Sequence, residues 1–161
     1  MTRLVVGLGN DARHDDGAGL EVARRVARRR PPGTEVVVGV PDLAALVELF
    51  GTHRSVVVVD ATRSGAAAGT VVRCSGAEVA GFPEVPAVST HGLSLRDALA
   101  LGGTLAGRPP KVVVFGIEAT DLSQGAGLTE AVEQGVTEAV GRVLREVGRP
   151  PAGLGAEADR A

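Results

Sequence analysis

The chain has 161 residues, enough for one domain and too few for two ordinary ones. A formal net charge of −2 supplies no field to draw nucleic acid or an anionic membrane, and a single cysteine excludes an internal disulfide or a multi-cysteine metal site. Apolar residues make up 44% of the chain but include only three Phe and no Tyr or Trp, so the core must be built from Val, Leu and Ala. A domain of this length buries roughly 70% of the surface its unfolded chain exposes and needs no structural metal to fold.

Leu4-Val5-Val6 reads as a strand ending at Gly7, too early in the chain for a signal peptide. A helix is expected from near Asp15 to about Arg30, with Leu20, Ala23, Val26 and Ala27 on one face and Pro31-Pro32-Gly33 as its stop. Glu35 to Val40 reads as a second strand, and Asp42 to Phe50 as a short helix with Asp42 as its cap or in its first turn. Ser55 to Asp60 is the third strand. Its continuous run Val56 to Val59 suits a strand covered on both faces of a parallel sheet, and is far too short to span a membrane.

Thr70 to Cys74 reads as a shorter strand toward an edge, with Cys74 as a small residue in it. Residues 75–90 read as a long loop, punctuated by Gly76, Gly81, Pro83 and Pro86. Ser94 to about Leu105 is expected to be helical, weakened at its end by Gly102-Gly103. Lys111 to Ile117 follows as a strand. Thr129 to Val147 is the last helix, with Thr129 as cap and Val132, Val136, Val140, Val143 and Leu144 as its stripe. The expected architecture is one α/β domain over residues 1–148, a three-layer sandwich around a mostly parallel sheet, with a flexible tail over 149–161. The protein is expected to be soluble, cytoplasmic and monomeric.

Ligands of such sheets bind outside the carboxyl ends of the strands. There the sequence places Gly7-Leu8-Gly9-Asn10 followed by Asp15-Asp16-Gly17-Ala18-Gly19, then Asp42, Asp60 directly after the Val run, and Ser89-Thr90-His91-Gly92 before the next helix. Gly116-Ile117-Glu118 ends the last strand at the same edge. Paired acids at a helix start also serve as plain caps, and an acid after a strand can cap a turn. Two carboxylates and an imidazole from separate strand ends nevertheless suit Zn, Ni, Fe or Mn and leave coordination positions open. His14 and His53 read as surface residues. No Ser–His or Cys–His nucleophile pairing is evident.

These segments resemble the signature of the hydrogenase maturation proteases. The similarity runs through Val6-Gly7-Leu8-Gly9-Asn10, Asp15-Asp16-Gly17-Ala18-Gly19, Val59-Asp60-Ala61, Ser89-Thr90-His91-Gly92-Leu93 and Phe115-Gly116-Ile117-Glu118, and covers about residues 3–147 in order. The resemblance implies an α/β endopeptidase that removes a C-terminal peptide from the precursor of a nickel–iron hydrogenase large subunit after nickel insertion. It maps the metal-recognising and catalytic residues onto Asp16, Asp60 and His91. It also implies that the nickel is contributed by the substrate, with other divalent ions able to substitute in crystals. This chain departs from many members at Ala12 and at Val40-Pro41-Asp42-Leu43, a turn associated with substrate contact.

Two alternatives share parts of the pattern. A peptidyl-tRNA hydrolase also begins with the Val6-to-Asn10 motif, but that family continues with Pro where Asp11 stands, and the charge balance disfavours tRNA. A dinucleotide-binding module fits Gly7-x-Gly9-x-x-Ala12 loosely, but needs its helix to start inside the motif and an acid about twenty residues on, where Gly33 stands.

Overall fold

The computed structural model describes residues 2–85 and 94–149. A five-stranded sheet is built from β1 (Arg3–Gly7), β2 (Thr34–Val38), β3 (Ser55–Thr62), β4 (Val71–Ser75) and β5 (Lys111–Glu118), in spatial order β2-β1-β3-β5-β4. All neighbours run parallel except the edge strand β4, which lies antiparallel to β5. Helices α1 (Ala18–Arg29) and α4 (Glu130–Gly148) cover one face, and α2 (Leu43–Thr52) and α3 (Leu95–Ala106) the other. The chain is therefore the expected single-domain three-layer α/β sandwich.

The strand alternation sorts the core into two layers, because successive side chains leave a strand on opposite faces. Val5, Val57, Val59, Phe115 and Ile117 pack with Val22 and Val26 of α1 and with Val132, Val136 and Val143 of α4. Leu4, Val6, Val56, Val58, Val112 and Val114 pack with Leu46 and Phe50 of α2 and Leu95 and Ala98 of α3. A strand that feeds both layers must be apolar at every position, and that accounts for the uninterrupted valines of β3. Asp60 has the parity of Val56 and Val58 and so stands on the α2–α3 side.

Several local expectations are revised. The α-helix starts at Ala18, not near Asp15; residues His14–Gly17 form a separate 3-10 turn. The Asp16 amide donates to the Arg13 carbonyl (3.0 Å), the local bond of a 3-10 turn, and a tertiary bond from the Asp15 amide to the Asp121 carbonyl (2.9 Å) sets this turn apart from the helix. The stretch expected as loop contains a 3-10 turn, Gly76–Gly81. It buries Val79, and Phe82 follows three residues later on the same side, the repeat of a 3-10 turn. α3 continues through Gly102 and Gly103 to Ala106. A Cβ on Gly102 would fall 2.6 Å from the Phe50 Cβ, so the glycine lets α2 and α3 approach closely.

The caps divide similarly. Asp42 caps α2, accepting from the Ala45 amide at 2.9 Å. Thr129 stands at the N-cap of α4, but its hydroxyl makes no capping bond there and is engaged by Asp15 instead. Of the predicted tail over 149–161, residues 150–161 lie outside the described residues. Among the described residues no helix is long and apolar enough to cross a membrane.

Candidate active site

The order of strands places a crevice between β1 and β3. From β1 the chain goes outward to β2 on one side and then returns to β3 and β5 on the other. The carboxyl ends of two such diverging strands are where α/β sheets bind ligands. Asp16 follows β1 and Asp60 is near the end of β3, so the two predicted acids flank this switch point.

The glycine motif builds the Asp16 side. Gly9 has φ +136°, and a Cβ there would sit 1.9 Å from the Asp16 carbonyl oxygen. That oxygen accepts from the Asn10 amide at 3.1 Å. The loop after β1 thus folds back over the Asp16 backbone, which a side chain at position 9 would prevent. A Cβ on Gly19 would fall 2.4 Å from the carbonyl oxygens of both Leu8 and Val59. The first turn of α1 consequently lies against the ends of β1 and β3, and Asp16 is held beside the crevice.

The adjacent acids have different roles. Asp15 is fully buried and accepts hydrogen bonds from the amides of Thr120 (3.0 Å), Asp121 (2.8 Å) and Thr129 (2.8 Å), and from the Thr129 hydroxyl (3.0 Å). Its carboxylate is occupied in tying the His14–Gly17 turn to the loop after β5 and the start of α4. Asp16 is 6% exposed, and the Arg13 guanidinium approaches it at 3.5 Å, a long contact. Burial raises the Asp16 carboxyl above its ordinary range, against the pull of Arg13.

Asp60 is partly buried, and its Oδ1 accepts from the Ala61 amide at 2.8 Å. Burial first, and then the negative charge of Asp16, push its carboxyl up to about 8; the Ala61 bond opposes this and the charge of Glu84 adds to it. A buried carboxyl whose proton affinity is raised further by a neighbouring carboxylate is a recognised feature of functional clefts. They can share a proton, or a cation can remove their repulsion. His91 lies outside the described residues. Among the described residues no three His, Cys, Asp or Glu side chains are grouped closely enough to hold a metal ion. Asp16 and Asp60 are a carboxylate pair, short of a complete ligand set.

The remaining candidates are structural. Glu118 is 3% exposed and accepts from the Ser64 amide (3.0 Å), the Ser64 hydroxyl (2.8 Å) and the Gly65 amide (3.0 Å), shaping the loop beyond β3. His14 is not simply a surface residue: it has φ +42°, and its Nδ1 lies 3.0 Å from the Gly127 carbonyl. His53 contacts Glu35 at 3.0 Å through Nε2, away from the crevice. Cys74 packs in β4 beside the α2–α3 layer, where burial and the charge of Glu78 raise its thiol. That is the opposite of an activated nucleophile.

Sequence reasoning missed two neighbours. Arg13 carries a spacing signal, three residues before Asp16. Glu84, whose charge acts on Asp60, carries none, because an isolated acid in a Gly- and Pro-rich loop has no periodic partner.

Comparison with known proteins agrees with this geometry. The HycI family model, described as hydrogenase maturation protease, matches residues 21–146, a range containing Asp60 and beginning just after Asp16. The structure of the NiFe hydrogenase maturation protease HybD from Thermococcus kodakarensis is similar at a TM-score of 0.73 and 29% identity, over 91% of this chain and 99% of that one. The hydrogenase maturating endopeptidase HybD from E. coli gives a TM-score of 0.76 at 25% identity, over 92% and 94% of the two chains. In sequence, the chain is 24% identical over 147 residues to the hydrogenase expression/formation protein HupD of Rhodobacter capsulatus, covering 89% of this chain and 70% of that protein. The Thiocapsa roseopersicina HupD is 26% identical over 144 residues, and the chain spans 65% of its length. The peptidyl-tRNA hydrolase and dinucleotide-binding alternatives give way to this match, and the ten residues between Gly7 and the start of α1 at Ala18 leave no helix inside the glycine motif. The chain belongs to the hydrogenase maturation protease family, a family of peptidases.

Proposed function

We propose that this peptidase removes a C-terminal peptide from the nickel-loaded precursor of a nickel–iron hydrogenase large subunit, and that Asp16, Asp60 and His91 recognise the nickel carried by that substrate. The observation that supports the reading is the Asp16–Asp60 pair at the switch point, with Asp60 displaced to about 8 by burial and by Asp16. Such a pair is poorly matched to an empty crevice and well matched to an arriving cation. The ion favours the ionised form of both acids, so Asp60 releases its proton as the loaded precursor docks. An empty precursor brings no such charge and leaves Asp60 protonated. Two carboxylates and one imidazole on separate segments hold an ion less tightly than a closed four-ligand site. That weakness suits a sensor, because the substrate supplies the rest of the coordination. Carboxylate oxygens that stay off the ion take the proton of the attacking water. The imidazole of His91 serves as the third contact to the ion.

The test uses purified precursor, with and without nickel, and enzyme pretreated with chelator. Chelated enzyme is expected to cut the loaded precursor and to leave the empty one intact. A difference of a few kcal/mol in binding gives a preference of about a hundredfold. Equal cleavage of the empty precursor, or activity regained only on adding zinc to the enzyme, would show an ordinary metalloprotease instead.

A further inference from the structure

Glu84 joins two segments that lie apart in the chain. Its backbone pairs with Thr62, two residues beyond Asp60. The join is reinforced by the Thr62 hydroxyl and the Arg63 amide, which both donate to the Pro83 carbonyl, at 2.6 and 3.1 Å. Its side chain reaches elsewhere: Oε1 accepts from the Leu95 amide at 2.6 Å, at the first turn of α3. One residue therefore ties the end of the strand carrying Asp60 to the start of a helix eleven positions along the chain.

The local cap of α3 does not reach the Leu95 amide. Ser94 and Asp97 already form a complete capping box, with the Ser94 hydroxyl accepting from the Asp97 amide (3.2 Å) and Asp97 accepting from the Ser94 amide (3.0 Å). Burial raises the Glu84 carboxyl, opposed by the Leu95 hydrogen bond and the charge of Arg96, while the charge of Asp97 adds to the rise. The bond offsets part of the cost of burying Glu84, gives the Leu95 amide its partner, and ties the end of β3 to α3. Beside it lies a cavity of about 230 Å³ lined by Val79, Phe82, Glu84, Ser94 and Arg96. His91 falls in sequence between the two tied points.

We propose that Glu84 is a positioning residue of the peptidase site: by joining the end of β3 to the N-terminus of α3 through the Leu95 amide, it sets the placement of Asp60 relative to α3. The proposal rests on the peptidase reading given above. It requires an acceptor oxygen at position 84 and does not require a charge there.

The experiment compares wild type, Glu84→Ala and Glu84→Gln in two measurements. Cleavage of nickel-loaded precursor is resolved into kcat and KM, and amide exchange is followed by mass spectrometry on each free protein. Glu84→Ala is expected to lose at least tenfold in kcat, with faster exchange confined to the start of α3 and the Thr62–Ser64 end of β3. Glu84→Gln keeps an oxygen for Leu95 and is expected to recover most of both. Wild-type kcat in Glu84→Ala overturns the proposal, as does a glutamine variant as slow as the alanine one. Faster exchange throughout the core, with activity falling in step with melting temperature, also overturns it and makes Glu84 a general stabiliser. If wild-type enzyme leaves the loaded precursor uncut, it is the functional reading that fails, and the exchange pattern still decides whether Glu84 makes the tie.

Discussion

The Asp15 carboxylate receives both the amide and the hydroxyl of Thr129, at 2.8 and 3.0 Å, and so joins the turn after β1 to the first turn of α4. The next residue, Asp16, makes no such tie; its carboxylate meets the Arg13 guanidinium at 3.5 Å instead. Neighbouring acids of identical chemistry therefore divide into one that holds the fold and one to which the proposed function assigns the substrate's ion.

That division gives a paired prediction. Asp15→Ala strands four donors, three of them backbone amides. Unpaired buried groups cost about 1–3 kcal/mol each, and water entering the site recovers part, so a loss of at least about 3 kcal/mol is expected. Asp16→Ala removes a carboxyl that burial disfavours, and should leave stability within about 1 kcal/mol of wild type while cleavage disappears. Chemical denaturation of the two variants, with precursor cleavage alongside, checks both. Equal destabilisation would show that both acids are structural.

Asp60→Asn should abolish cleavage and stabilise the folded protein at alkaline pH. The wild-type carboxyl titrates near 8 when folded, against an ordinary value of 3.8. Between those pH values the folded state holds a proton that the unfolded chain has lost, so stability falls as pH rises through the window. Each unit is worth about 1.4 kcal/mol, and a domain of this size gains about 2–4 °C per kcal/mol. The asparagine variant should melt at least about 5 °C above wild type at pH 8.5, with the two converging near pH 4. Parallel melting curves across the window would mean that Asp60 is ionised in the folded protein at neutral pH.

Gly19→Ala should be among the costliest small substitutions in the chain. The added methyl would meet two backbone carbonyl oxygens at 2.4 Å, on Leu8 and Val59, and neither can turn aside. A loss of about 2–3 kcal/mol is expected from forced backbone movement. Gly33→Ala is the control: nothing lies within 4 Å of the added group, and the left-handed φ of +62° alone should cost about 1 kcal/mol. Urea denaturation midpoints rank the two, and a Gly33 variant weaker than the Gly19 one would contradict the packing argument.

Removal of residues 150–161 should leave melting temperature within about 2 °C of wild type. The segment contains Pro150-Pro151, Gly153 and Gly155 with no apolar period, so it can contribute little core. The end of α4 is secured without it, because the Arg3 guanidinium donates to the carbonyls of Glu146 (2.9 Å) and Val147 (2.8 Å). A drop of several degrees in calorimetry would show that the tail packs on the domain.

The sequence by itself determined the sheet and its layers. Val56 to Val59 had to be covered on both faces because no polar side interrupts them, and the alternation of such runs with amphipathic helices admits few arrangements besides a parallel α/β sandwich. It also determined which acids reach the carboxyl edge, since Asp16 lies in the segment between β1 and α1 and Asp60 near the end of β3. Tertiary structure alone decided what each acid does. Asp15 and Asp16 are indistinguishable by position at a helix start. They differ because Thr120, Asp121 and Thr129, over a hundred residues away in sequence, supply donors to one and not to the other. The same holds for Gly102, whose reason is Phe50 on another helix, and for Glu84, whose partners are Thr62 and Leu95. Periodicity reports the face a residue turns toward the core; a hydrogen bond between distant segments leaves no period, so it appears only once the chain is folded.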